Sequence, residues 1–320
     1  MTHIPEDVTV RSVRPTDLAA LAGFNRRSQP NDAVSRRDLA VRRQPLSTGM
    51  LLQHWLSFDE NRQTWVAVDR SQGSKRIVGL ASAQADGPIW EIDRLIVASD
   101  AGPHVLQRLL SYVSAVGSEN GIQKLFLRLL DGSDLIDSAR STGFHVYSTE
   151  TLYSRQTLES VPPAPGRDSH IRAKANRDNH AVFQLYCEAV PAAIRQAEAM
   201  VFAEWQHLYS RRPGTLRRRE HVLEMNDTVS GWLRTYSRGQ AGYLEVLVAP
   251  AAEASLESLI DAGLYHLGER VPIYSLVGDH ESRLARSLET RGFAPEASFC
   301  ALVKQLSVRI RQPRLVPVPS

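Results

Sequence analysis

Three pairs of landmarks recur along this chain at a nearly constant spacing. Gly79 and Gly231 lie in corresponding apolar runs 152 residues apart, and Val97 and Val248 end central runs 151 apart. Gly143-Phe144 and Gly292-Phe293 follow helical patterns 149 apart. The pairs fall in three different kinds of element, so their agreement points to two copies of one unit. A chain of 320 residues has room for two domains of ordinary size. Val161-Pro162-Pro163-Ala164-Pro165-Gly166 between them has the composition of a linker. The expected division is residues 1–160, a linker over 161–168, residues 169–310, and a flexible tail over 311–320.

Within each unit the order reads β, helix, β, β, β, helix, β, helix, β. In the first, Val8 and Val10 alternate as a strand, and Thr16 or Asp17 can cap a helix through Leu21 and Phe24. Residues 28–48 suggest a short helix and a mobile loop, followed by a helix around Met50 to Phe58. Thr64 to Val68 and Ile77 to Ala81 form a hairpin. The best-defined stretch is Glu91 to Leu110: a buried strand through Ile92, Leu95, Ile96 and Val97, a tight turn, then a helix carrying Leu106, Leu109 and Leu110. Ser99 and Asp100 are expected to cap that helix, with Pro103 in its first turn. A strand feeding a helix N-terminus is a common place for phosphate, because backbone N–H groups point outward there. In the second unit, Asp178 to Val190 and Met200 to Tyr209 read as helices, with Trp205 on the buried side. Arg218 to Met225 and Val229 to Tyr236 read as a hairpin turning at Asn226-Asp227.

Composition narrows the function classes. Net charge is +3, from 38 basic and 35 acidic residues, which argues against a nucleic-acid partner. The pairs Arg26–Arg27, Arg36–Arg37 and Arg42–Arg43, and the clusters at Arg211–Arg212 and Arg217–Arg219, read as solvated faces. The two cysteines, Cys187 and Cys300, lack metal or redox spacing and read as reduced core residues of a cytoplasmic protein. No signal peptide and no apolar run of membrane-spanning length is visible.

The order of elements, with Val10 to Leu18, Trp65 to Val68, Ile77-Val78-Gly79, Leu95-Ile96-Val97 leading into Leu109-Leu110, and Gly-Phe after the last helix, resembles the GNAT acyltransferase superfamily. The resemblance runs over about residues 6–156 and again over 168–308. It implies an α/β (α+β mixed sheet) fold: two tandem GNAT-like domains, each a twisted, largely antiparallel mixed sheet flanked by helices. It also implies acyl transfer from acetyl-CoA or another acyl-CoA to an amine, with no metal. The partner is then an unidentified small-molecule amine or a protein, and pairing into a homodimer stays open.

The site residues follow from that resemblance. The first pyrophosphate turn would use Val97, Ser99, Gly102 and His104, and Glu91, Asp93 and Glu245 on the central strands are the candidate bases. Both turns depart from the family's basic-residue and Gly-x-Gly pattern. Asp100 would sit beside a phosphate, at a cost of roughly 4 kcal/mol at 4 Å and an effective dielectric near 20. The second turn, Ala249 to Ser255, has no glycine and carries Glu253. The positions of the family's proton-donating tyrosine hold Ala139 and Leu288; Tyr147, Tyr153 and Tyr274 lie nearby. Glu91 and Asp93 could equally pair with arginines, and His104 and His145 are further cleft candidates. Of the two halves, the first is then the better candidate for activity. The alternative is a non-catalytic tandem protein acting through its inter-domain groove.

Overall fold

The structure is a computed structural model that describes residues 8–25, 33–36, 62–71, 75–157, 161–166, 170–210 and 217–307. The helix expected around Met50 to Phe58, most of 28–48 and the tail from Arg311 lie outside the described residues.

The first half comprises β1 (Val8–Ser12), α1 (Leu18–Asn25), β2 (Arg62–Asp69), β3 (Arg76–Asp86), β4 (Ile89–Val97), α2 (Pro103–Glu119), β5 (Lys124–Leu130), α3 (Leu135–Ser141) and β6 (His145–Arg155). The second comprises β7 (Ile171–Ala173), α4 (Asn179–Ala189), α5 (Ala192–Glu198), α6 (Phe202–Trp205), β8 (Arg217–Met225), β9 (Thr228–Arg238), β10 (Ala241–Val248), α7 (Leu256–Leu267), β11 (Ile273–Gly278), α8 (Ser282–Glu289) and β12 (Ala294–Gln305). Residues 161–166 between the halves are irregular.

The landmarks of the repeat turn out to touch each other. Gly79 pairs with Val97 across β3 and β4, and Gly231 pairs with Val248 across β9 and β10. The glycines are needed because a helix lies directly on them. A Cβ at Gly79 would come within 2.8 Å of Leu109, and one at Gly231 within 2.7 Å of Leu259. Both hairpins turn through two residues, from Asp86 to Ile89 and from Arg238 to Ala241. The first nevertheless holds one residue more, because β4 bulges at Asp93 between the partners of Ser82 and Ala83. That bulge is the difference between the offsets of 152 and 151. The Gly-Phe pairs are matched caps: Gly143 and Gly292 adopt φ of 92° and 79°, and the N–H groups of Phe144 and Phe293 return to Ala139 and Leu288. The second-half hairpin turns at Asn226-Asp227, both left-handed, as its sequence requires.

The two halves share one twelve-stranded sheet, in the order β1-β2-β3-β4-β5-β12-β6-β11-β10-β9-β8-β7. Their last strands are exchanged: β12 of the second half pairs with β5 of the first, and β6 pairs with β11. Helices cover the sheet and divide the interior into a core around Leu106, Leu109 and Leu110 of α2 and another around Leu259 and Ile260 of α7. Burying each such side chain contributes about 1.5–3 kcal/mol.

Several local expectations change. The cap of α2 is Gly102, with no side-chain hydrogen bond, so Ser99 and Asp100 do not cap it. Between the two expected helices, Ala192–Glu198 forms a further one, α5. The helix expected from Met200 is the short α6 continued by a wide turn over Gln206–Ser210. Trp205 is buried, as expected, and both cysteines are free thiols.

Candidate active site

β10 and β11 run parallel but pair only at Gly242–Ile273 and Tyr243–Tyr274. Beyond that point β11 stays with β6 and β10 stays with β9, so the two diverge. A wedge-shaped gap opens between them. It leads on one face of the sheet to a chamber of about 850 Å³, open solvent included, walled by Leu244 to Leu247 and by Tyr186, Trp205 and Tyr209 from the helical layer. On the other face lies a pocket of about 690 Å³ at the starts of α7 and α8, bordered by Pro250, Glu253 and Arg283. Both contain Val246, Leu247, His280 and Glu281, so they meet at the gap. In the first half, β4 and β5 likewise pair only through Ile92–Leu127. The pocket there is smaller, about 550 Å³, and includes Glu91, Phe126 and Arg128.

Between the chambers of the two halves stands a buried polar wall. Glu198, at the end of α5, accepts hydrogen bonds from the hydroxyls of Tyr209 at 2.8 Å, Tyr147 at 3.2 Å and Tyr186 at 3.3 Å, and from Arg36 at 3.3 Å. Arg36 also lies 3.7 Å from Glu150, and its backbone N–H donates to Glu91 at 2.8 Å. Arg128 holds Glu150 at 2.5 Å and lies 3.6 Å from Glu91. Arg36 and Glu198 line both chambers. Burial pushes the Glu150 carboxyl up, but Arg128 and Arg36 outweigh it and hold it below its ordinary value. Burial, then Glu198 and Glu150, push the Tyr147 phenol well up, so it stays protonated. Glu281 differs from these carboxylates. It accepts the N–H of Gly278 at 2.8 Å, yet burial still raises its carboxyl above the ordinary range.

No family model matches the chain, and no curated protein matches it in sequence. Solved structures do match it. A GCN5-related N-acetyltransferase from Sphaerobacter thermophilus, 16% identical, aligns over 94% of this chain and 96% of its own with a TM-score of 0.56. A tandem GNAT protein from the clavulanic acid biosynthesis pathway, 13% identical, aligns over 93% and 98% with a TM-score of 0.53. The fold is a tandem GNAT fold. A more distant acyl-CoA enzyme, Saccharomyces cerevisiae N-myristoyltransferase with bound myristoyl-CoA, shares it at a TM-score of 0.50, with 12% identity over 95% of this chain and 84% of that one.

On this GNAT fold the residues singled out from sequence fall in separate places. Glu91 joins the polar wall. Asp93 is the bulged residue of β4, buried and paired with Arg62 at 2.5 Å, and burial pushes its carboxyl up to about 6. Glu245 lines the second chamber and is clamped by Arg234, itself fully buried over the Trp232 ring. Val97 is core. Ser99 is exposed in the turn, and the His104 imidazole folds over Gly102, where a Cβ would come within 2.7 Å of the ring. Tyr153 bonds Glu289, while Tyr274 lines the second chamber. His145 is exposed. Ala139 and Leu288 are both completely buried.

The structure also brings in residues the sequence did not single out: Arg36, Glu198, Tyr186, Tyr209 and Glu281. Arg36 belongs to a cluster read as solvated, and Glu198 lies between the two stretches read as helices. The one sequence signal for α5 was Pro191 ahead of Ala-Ala-Ile-Arg, a helix start. Each phosphate-type turn has a clamped acid: Asp100 is bound by Arg76, and Glu253 by Arg283 at 2.6 Å. The repulsion expected from Asp100 is therefore largely neutralised. Among the described residues no group of three or more His, Cys, Asp or Glu side chains could hold a metal ion, and no helix is long and apolar enough to cross a membrane.

Proposed function

We propose that the chain binds an acyl-CoA across the gap between β10 and β11 and transfers its acyl group to an amine in the aromatic chamber. The passage through the sheet carries this reading. An extended, amide-containing thioester arm is suited to a strand edge with unpaired backbone groups, which hydrogen-bond to it as another strand would. At the outer mouth Arg283 is the cation available to phosphate once it leaves Glu253. In the chamber Glu281 is the base, because its raised carboxyl takes a proton more readily than an ordinary carboxylate does. The acyl donor supplies an activated carbonyl carbon: as the C–N bond forms the C–S bond breaks, one ammonium proton passes to Glu281, and a second N–H proton ends on the departing thiolate. Arg36 and Arg128 keep Glu150 ionised and out of this exchange.

A second reading, binding without transfer, has its own support. The proton-donor positions of the family this chain resembles hold Ala139 and Leu288, both packed in the cores. Calorimetric titration with acetyl-CoA separates the cases. Binding at one site per chain is expected, and no binding would overturn the main reading. Gly102→Asp at the first-half turn should leave the affinity unchanged; a loss would move the site to the first half. Binding with no thiol released by any amine would favour the second reading.

A further inference from the structure

We propose that the amine taken by this chamber carries a flat aromatic ring and a single ammonium group, as an arylalkylamine does. The inference rests on the reading of the chamber as the acceptor side. Its first support is the concentration of rings. The chain has nine tyrosines and five tryptophans, and five of the former and two of the latter line this one chamber. Two pairs among them lie in parallel: Tyr236 and Tyr243 stack at 4.6 Å and 2°, and Trp205 and Tyr209 at 5.8 Å and 16°. Such surfaces favour another ring, each ring pair adding about 0.5–1.5 kcal/mol beyond area burial.

The second support is charge. Four carboxylates line the chamber, but three are committed: Glu150 to Arg128, Glu198 to Arg36, and Glu245 to Arg234. Glu281 alone among them has no arginine or lysine within ion-pair distance among the described residues. One uncommitted carboxylate matches one ammonium, whereas an aliphatic polyamine would bury a second cation unpaired, at a cost of several kcal/mol. The third support is a donor without an acceptor. The indole N–H of Trp232, a buried lining residue, has no hydrogen-bond partner among the described residues, and a ligand oxygen that reached it would satisfy it.

The test uses the full chain without acyl-CoA, following tryptophan fluorescence and heat on titration with 2-phenylethylamine, tryptamine, 2-cyclohexylethylamine and spermidine. The aromatic amines should bind at least tenfold more tightly than the other two. Glu281→Gln, with wild-type thermal unfolding, should weaken them tenfold or more. Trp232→Phe, which keeps a ring but loses the N–H, should weaken tyramine, titrated alongside as the ring-hydroxylated amine, more than 2-phenylethylamine. Equal binding of spermidine or the cyclohexyl amine, or no amine binding, would overturn the inference. Acetyl-CoA binding is measured separately. If it persists while amine selectivity fails, only this inference falls; if it is absent while aromatic amines bind, only the transfer reading falls.

Discussion

Asp93 and His266 show how single residues set opposing pH responses. Burial raises the Asp93 carboxyl to about 6, so the folded state holds its proton more tightly than the unfolded chain. Its contribution is fully present below the unfolded value near 3.9 and is lost as pH rises through 6, on the order of 3 kcal/mol. His266, stacked on His221 at 4.1 Å, is pushed down to about 4 by burial, His221 and Arg219. Its contribution is present above the unfolded value near 6.5 and is lost as pH falls toward 4. The two partly cancel between pH 4 and 6.5. Denaturant unfolding across that range should therefore rise more steeply with pH in Asp93→Asn, and should flatten or reverse in His266→Gln. A second residue-scale test concerns the clamped acids. Glu253→Gln releases Arg283 and should tighten acetyl-CoA binding a few-fold at low salt, as an exposed pair worth up to about 1 kcal/mol allows. Asp100→Asn should leave it unchanged, since it frees Arg76 in the first half, away from the β10–β11 gap.

At the scale of elements, what could be read from sequence was whatever is decided locally. The strands, the Asn226-Asp227 turn and the Gly-Phe caps depend on neighbours within a few residues, and they fall where expected. Even the Asp93 bulge was written in the offsets, as one residue of disagreement. The polar wall was not legible. Arg36, Arg128, Glu150 and Glu198 come from four separated segments, and no spacing rule joins them. Nor did composition help, because an arginine pair on a surface and one in a buried wall look alike in sequence. The wall ties α5 to the other half, and cutting it should be costly. Glu198→Ala leaves Arg36 and three phenols without their acceptor and should lose about 3–5 kcal/mol in chemical denaturation. A smaller, matched device sits at the start of each half, where Arg11 holds Asp17 and Arg172 holds Asp178, at 2.7 Å in both. The Asp178 carboxyl is held near 2 by Arg172 and by the N–H of Ala175. Asp178→Asn should cost about 1.5–3 kcal/mol at neutral pH, and the difference from the wild type should vanish as pH falls from about 4 through 2.

At the scale of the whole molecule, duplication was legible but the continuity of the sheet was not. A repeat in sequence gives two equal units; the exchange of β6 and β12 makes each unit complete only through the other. The sheet is therefore less divisible than the irregular linker at 161–166 suggests. Residues 1–160 expressed alone should fail to give a monomeric, cooperatively unfolding protein by size exclusion and calorimetry. Co-expression with residues 161–320 should restore a one-to-one complex. A stable, monomeric first half would mean that β6 can close its own sheet.

The exchange also sets an order in time. The first half's β5 finds its neighbour in β12, the last described strand to leave a ribosome. Its inner edge stays open while residues 156–293 are made, roughly 7–30 s at about 5–20 residues per second. During that interval the nascent chain carries an apolar strand, Lys124–Leu130, paired with β4 on one side and lacking its β12 partner on the other. Slower synthesis through the second half is therefore expected to lower the soluble yield of the full chain.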